Sequence, residues 1–220
     1  YFYVNKAAYS ERVTADVEPD WFRHAIWWQV YPLGFVGAFP ADRPPETAEH
    51  RLTRIVDWLD HAVDLGVSGI ALGPIFASAT HGYDTTDHYR IDPRLGEDSD
   101  FDLLVDAAHR RGLRVLLDGV FNHVGTDFPR YRDAVDHQDP DAAKWFRGRP
   151  GRFHTFEGHE GLITLNHRNP AIADYTVDVM KHWLGRGADG WRLDAAYAVP
   201  ESFWARVLPR VRGAHPDAWF

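Results

Sequence analysis

With 220 residues, 45% of them hydrophobic, the chain is long enough to bury one substantial core. Its formal charge of -8, from 32 acidic against 24 basic residues, argues against an extended phosphate-binding surface and so against a nucleic-acid partner. No apolar run approaches the roughly 18 residues of a membrane span, and no basic, apolar and small-residue succession of a signal peptide opens the chain, so membrane anchoring is not expected.

Residues 1–24 carry no firm hydrophobic period and read as the remnant of a preceding segment; with Tyr1 first and Met180 the single methionine, Tyr1 is not expected to be the translation start. Residues 25–31 read as a first strand. Leu52, Ile55, Val56, Leu59 and Val63 recur at helical spacing, which predicts a helix over 49–65 closed by Gly66. A buried strand over 67–72 stops at Gly73-Pro74. Ser99 or Asp100 is the expected cap of the next helix, with Phe101, Leu104, Val105 and Ala108 on one stripe before Gly112. Residues 113–118 form a third strand. Asn169-Pro170 opens a helix that presents Ile172, Tyr175, Val179 and Trp183 to one side. Residues 188–194 form a fourth strand, Pro200 starts a helix that Pro209 is expected to end, and 217–220 read as the beginning of a fifth strand.

Strand and helix thus alternate with connections of helical length, which predicts an α/β fold with a parallel sheet and right-handed crossovers. The exception is 124–168, about 45 residues rich in Gly, His, Pro and Asp and too long for an ordinary strand-to-helix loop. Zero cysteines exclude disulfides, thiolate zinc sites and cysteine nucleophiles but leave the compartment open, the cytoplasm being slightly favoured. Nine tryptophans within a 14% aromatic content suit a neutral sugar ligand, although most tryptophans in any domain are core.

Chemistry is concentrated at two strand ends. In residues 190–194, GWRLD, Arg192 and Asp194 lie two apart, so on a strand both side chains leave the same face. A guanidinium there is expected to lower the pKa of Asp194 and hold its carboxylate in one orientation, as an ionised nucleophile requires. Residues 116–123, LLDGVFNH, likewise show polar groups only at the C-terminal end of an apolar strand, the end at which parallel barrels place their sites.

On these residues the chain resembles the α-amylase superfamily of retaining α-glycoside hydrolases and transglycosidases. Residues 118–123 match its D-G-V-x-N-H motif, 190–194 its G-x-R-x-D nucleophile motif, 26–32 (IWWQVYP) its first strand, and 81–87 (HGYDTTD) its substrate-stacking loop, in the right order. The resemblance implies the N-terminal half of a (β/α)8 TIM barrel, with strands one to three over 25–123, a small B-domain insertion over 124–168 walling the sugar cleft, and the fourth strand to the start of the fifth over 169–220. It implies Asp194 as nucleophile with Arg192 as its partner, Asp118 as organiser of the arginine and the pocket floor, His123 as hydrogen-bond donor to the sugar in the cleavage subsite, Tyr83 as its stacking platform and Tyr197 on the acceptor side. Structural roles compete for each: a strand-end cap for Asp194, a satisfied histidine for His123, core tyrosines for Tyr83 and Tyr197.

No cofactor or metal is expected. Asn122 matches a residue that helps bind calcium in many amylases, but in 162–166, LITLN, Thr164 stands where the family carries an acidic ligand. His154, His159 and His167 fit no compact zinc spacing and read as hydrated loop histidines. The family's proton donor, a glutamate ending the fifth strand, has no match; Glu157, Glu160 and Glu201 are poor substitutes, so the chain reads as a fragment whose partner is the other barrel half. Alone it is expected to be poorly folded and to show negligible turnover of aryl α-glucosides. The expected substrate is an oligosaccharide or short α-glucoside; a transglycosidase and a non-catalytic carbohydrate-binding protein are the alternatives.

Overall fold

Short apolar runs punctuated by Gly and Pro set the element order. In a computed structural model describing residues 19–38 and 44–220, β1 (Trp27–Val30) leads through α1 (Pro32–Phe35) and a 3-10 turn (Leu52–Trp58) into α2 (Leu59–Asp64) and β2 (Gly69–Leu72). A hairpin of β3 (Phe76–Ser78) and β4 (Thr85–Ile91) precedes α3 (Asp98–His109) and β5 (Arg114–Gly119). Then come β6 (His123–Gly125), α4 (Pro129–Asp136), α5 (Pro140–Ala143), β7 (Gly148–Arg149), β8 (Arg152–Phe153), β9 (Thr155–Phe156) and β10 (His159–Thr164). The remainder is α6 (Pro170–Gly185), β11 (Gly190–Leu193) and α7 (Glu201–Arg212). Of the segment 1–24 read as a remnant, residues 1–18 lie outside the described residues.

β1, β2, β5 and β11 form one parallel sheet in that order, with α2, α3 and α6 on the crossovers. Gly190 bridges Trp219 in parallel, and Trp191 N–H donates to the Trp219 carbonyl at 2.8 Å, so a fifth strand begins beside β11. The α3 and α6 stripes bury Phe101, Leu104, Val105, Ile172, Val179 and Trp183 against the sheet. Trp183 packs 5.1 Å from Phe76, and its indole N–H donates to the His88 carbonyl at 2.7 Å, which removes the cost of burying that donor.

The insertion contributes a three-stranded antiparallel sheet, β6-β10-β9, in which Thr164 pairs with His123 and Ile163 with Val124. β9 and β10 are joined through Glu157 and Gly158, with φ of 49° and 82°, the backbone of a two-residue hairpin turn. A Cβ on Gly125 would overlap the Asp84 carbonyl, so the insertion sheet touches the loop before β4 at backbone distance.

Four local expectations need correction. The helix over 49–65 is a 3-10 turn followed by a short α-helix, and Gly66 closes it at φ 74°. α3 starts earlier than Ser99: Glu97 is its cap, in a reciprocal box where the Asp100 carboxylate accepts from the Glu97 N–H at 2.8 Å. Pro209 does not end α7, which runs to Arg212. Pro209 and Ala205 are both exposed, so the carbonyl that loses its helical partner faces water while Val207 and Val211 stay buried on the opposite side. Finally, Thr85 to Asp87, taken as part of the stacking loop, are strand residues of β4 paired to β3, as β-branched threonines favour.

Candidate active site

Parallel register brings the two strand ends together. Arg192 on β11 lies opposite Asp118 on β5, and its Nη1 donates to both carboxylate oxygens of Asp118 at 2.6 and 2.7 Å. The same nitrogen reaches Asp194 Oδ1 at 3.2 Å. Asp194 follows the last residue of β11; its N–H donates to the Gly119 carbonyl at 3.1 Å, and Ala195 turns left-handed at φ 47°, which takes the chain away from the sheet immediately afterwards.

The division of the guanidinium corrects the electrostatic expectation. Arg192 chiefly serves the fully buried Asp118 rather than forking onto Asp194. Burial outweighs the cation at both carboxyls: Asp118 is pushed up to about 6, and Asp194 is raised rather than lowered, with desolvation the largest cause and Arg192 opposing it. An ion attracted by half a shared cation does not recover what a half-buried carboxylate loses in hydration.

Tyr83 joins this group: its hydroxyl donates to Asp118 Oδ2 at 3.4 Å, and burial pushes its pKa up to about 12, so it stays a donor. The loop that carries it is braced from below. Buried Arg94 donates to both oxygens of Asp92, to Ser78 Oγ at 2.8 Å and to the Thr80 carbonyl at 2.6 Å, while Thr80 Oγ1 donates to Asp84 Oδ2 at 2.7 Å. A fork with all three of its nitrogens engaged leaves that loop little freedom.

His123, one strand further out, is buried, and desolvation brings it down to about 4, so it is a neutral imidazole. Its Nδ1 lies 3.1 Å from Asn122 Nδ2, its Nε2 has no hydrogen-bond partner, and its ring stacks on Phe156 at 4.6 Å and 16°. Tyr197 lies in the turn just after Asp194, whose charge acts on it, and its hydroxyl bonds to Glu157 rather than to the Asp118, Arg192, Asp194 and Tyr83 group. It is 78% exposed, and its hydroxyl donates to Glu157 Oε1 at 2.6 Å. Sequence reasoning overlooked Phe156 as a neighbour of His123; its only signal was an aromatic placed just before the Glu157-Gly158 turn.

Of the three histidines read as hydrated, His154 and His159 are exposed but His167 is buried, with Nε2 2.9 Å from the Phe121 carbonyl and its pKa lowered by burial. Among the described residues no group of three His, Cys, Asp or Glu side chains converges as a metal site. The family's calcium does not fit what is present. Asn122 Oδ1 is a buried acceptor without a partner, but the neighbouring Thr164 supplies no charge, and a hard cation needs six or more oxygens.

The family model described as alpha amylase, catalytic domain, matches residues 29–212. Neopullulanase 2 of Thermoactinomyces vulgaris is 34% identical over 96% of this chain and 40% of its own length; an intracellular maltogenic amylase of Bacillus subtilis (strain 168) is 35% identical over 91% and 38%. The chain thus spans about two fifths of the curated relatives it matches. A ligand-free cyclic alpha-maltosyl-(1-->6)-maltose hydrolase from Arthrobacter globiformis superposes with a TM-score of 0.81 at 30% identity, covering 91% of this chain and 51% of that one. A parallel half-sheet that superposes on half of such an enzyme is a partial (β/α)8 barrel, and on the match over 29–212 the chain belongs to the alpha-amylase catalytic-domain family.

Proposed function

We propose that the protein carrying this chain is a retaining α-glycosidase that acts on short α-glucosides or α-glucans by double displacement. The observation that carries the proposal is Asp194 at the end of β11, half-buried beside the Arg192–Asp118 pair. Asp194 attacks the anomeric carbon as the leaving oxygen departs, forming a glycosyl ester, and water then attacks that carbon and releases the carboxylate. Arg192 holds Asp118 and steadies the Asp194 charge as it is regenerated. Tyr83 offers its ring to the sugar's apolar face, and His123, neutral and with Nε2 unengaged, donates to a sugar hydroxyl. The leaving oxygen requires a proton from a second carboxyl, which takes one back from the attacking water in the second step; the family resemblance assigns it to the fifth strand, whose first residues here include Trp219.

Relatives named neopullulanase, cyclomaltodextrinase and maltogenic amylase support α-glucans as the substrate class. Residues 124–168 form the proposed wall of the cleft. A cytoplasmic site of action has the support of relatives named intracellular; no helix among the described residues is long and apolar enough to cross a membrane. Transglycosylation is the second reading, favoured by the exposed aromatic Tyr197 that a sugar acceptor could meet. Proton NMR of maltotriose digestion by the full-length protein tests the proposal: the reducing end newly made by cleavage appears first as the α-anomer. A newly made reducing end that appears first as the β-anomer excludes double displacement, and binding without any release favours a carbohydrate-binding protein.

A further inference from the structure

We propose that Glu157 and Tyr197 form a latch that sets the width of the acceptor side of the cleft, with Glu157 a positioning residue; the inference rests on the glycosidase reading above. Glu157 occupies the first central position of the β9–β10 turn with φ 49°. That left-handed conformation suits Gly, Asn or Asp, because glycine has no Cβ to clash and the short polar side chains bond their own backbone. Glutamate has neither advantage. A strained residue of this kind persists where its surroundings hold it, and such strain gathers at functional sites.

The hairpin turn sets that backbone, and the side chain it presents makes one contact with the loop that follows β11. The Glu157 carboxylate accepts from the Tyr197 hydroxyl at 2.6 Å. Tyr197 lies in a 3-10 turn, Ala196–Ala198, capped by Ala195, itself left-handed at φ 47° and adjacent to Asp194. Two left-handed turns, one from the insertion and one from the loop after β11, are therefore tied together beside the proposed nucleophile. The rings between them form a row: His123 stacks on Phe156, and Phe156 lies 6.5 Å from Tyr197. Since Tyr197 is 78% exposed, packing does not fix its position; the hydrogen bond does.

The same carboxylate therefore does not serve as the missing acid: its task is to fix the distance between the hairpin and the loop that follows Asp194. Glu157→Gly removes the latch and relieves the left-handed strain in one step, whereas a merely structural surface residue would show only a stability effect. In the full-length protein Glu157→Gly raises KM for maltooligosaccharides by about fivefold with kcat held within about twofold, and adding Tyr197→Phe raises KM no further. An unchanged KM, or effects that multiply in the double variant, overturns the latch. Denaturant unfolding supplies a readout without activity: Glu157→Gly stabilises the Tyr197→Phe background more than it stabilises the unaltered protein, since only the latter loses the bond. Equal shifts in both backgrounds remove the latch itself. If the protein cleaves no α-glucan, the acceptor-side role falls with the glycosidase reading, whatever the unfolding cycle shows.

Discussion

Asp194 and Asp118 share one guanidinium, and the way they share it has a kinetic signature. A nucleophile must be ionised, and burial raises the pKa of Asp194 above the ordinary carboxylate value while Arg192 pulls the other way. Activity is therefore lost as pH falls through a value higher than that of a free aspartate, and the limb reports the coupled pair rather than either carboxyl alone. Arg192→Met removes the opposing cation from both. The acid limb of kcat/KM then moves to higher pH, and kcat/KM at neutral pH drops by roughly a hundredfold or more; a pH-rate series of the two proteins checks this, and an unmoved limb would show that Arg192 does not act on the nucleophile's charge. The pairing of residues 118 and 192 was legible only through the family motif, which implies that Asp118 organises the arginine; the spacing by itself paired Arg192 with Asp194. The sign of the shift at Asp194 was not legible, because desolvation depends on what covers a carboxyl and a two-residue spacing carries no information about cover.

At the scale of elements, the site depends on a contact between two backbones. Gly125 in β6 lies so close to the Asp84 carbonyl that any side chain there must push the insertion sheet away from the loop carrying Tyr83. Gly125→Ala is expected to cost roughly 1–3 kcal/mol in unfolding free energy and to impair substrate binding together with stability; a variant with unchanged denaturation midpoint and KM would mean the two segments do not need that approach. Such close approaches explain what sequence reading recovers and what it misses. Strand order, the α3 and α6 stripes and the Asn169 cap follow from local periodicity, and the Asn169 side chain does accept from the Ala171 N–H at 3.0 Å. The strand character of Thr85 to Asp87 comes from pairing with β3, and the neighbourhood of Phe156 and His123 comes from β6 and β9 flanking β10 in one sheet; neither is written in a window of ten residues. Pro209 misleads for a related reason: its site on the exposed side of α7 lets the freed carbonyl meet water, while the burial of Val207 and Val211 carries the helix past it.

Across the whole molecule, His88 ties the parallel sheet to the helices behind the insertion. Fully buried on β4, its Nε2 donates to the Val120 carbonyl at 3.0 Å, leaving Nδ1 to accept from the Tyr175 hydroxyl of α6 at 3.0 Å, an arrangement that requires the neutral ring. Burial lowers its pKa to about 4 against the ordinary 6.5. The unfolded chain takes up a proton below pH 6.5 that the folded one refuses until about 4, so this group's stabilisation is present above 6.5 and lost progressively toward 4, by up to about 3 kcal/mol. Denaturant midpoints at pH 7 and pH 4.5 should therefore fall further in the unaltered protein than in His88→Gln; equal falls would show that His88 is not held neutral. All of this scaffold serves one carboxylate, and the most direct measurement is on that atom. Full-length protein treated with a slow-turnover 5-fluoro-α-glucosyl fluoride and digested for mass spectrometry should carry one fluoroglucosyl ester, on Asp194. A label on any other carboxylate of a protein that turns over α-glucans with retention would contradict the account.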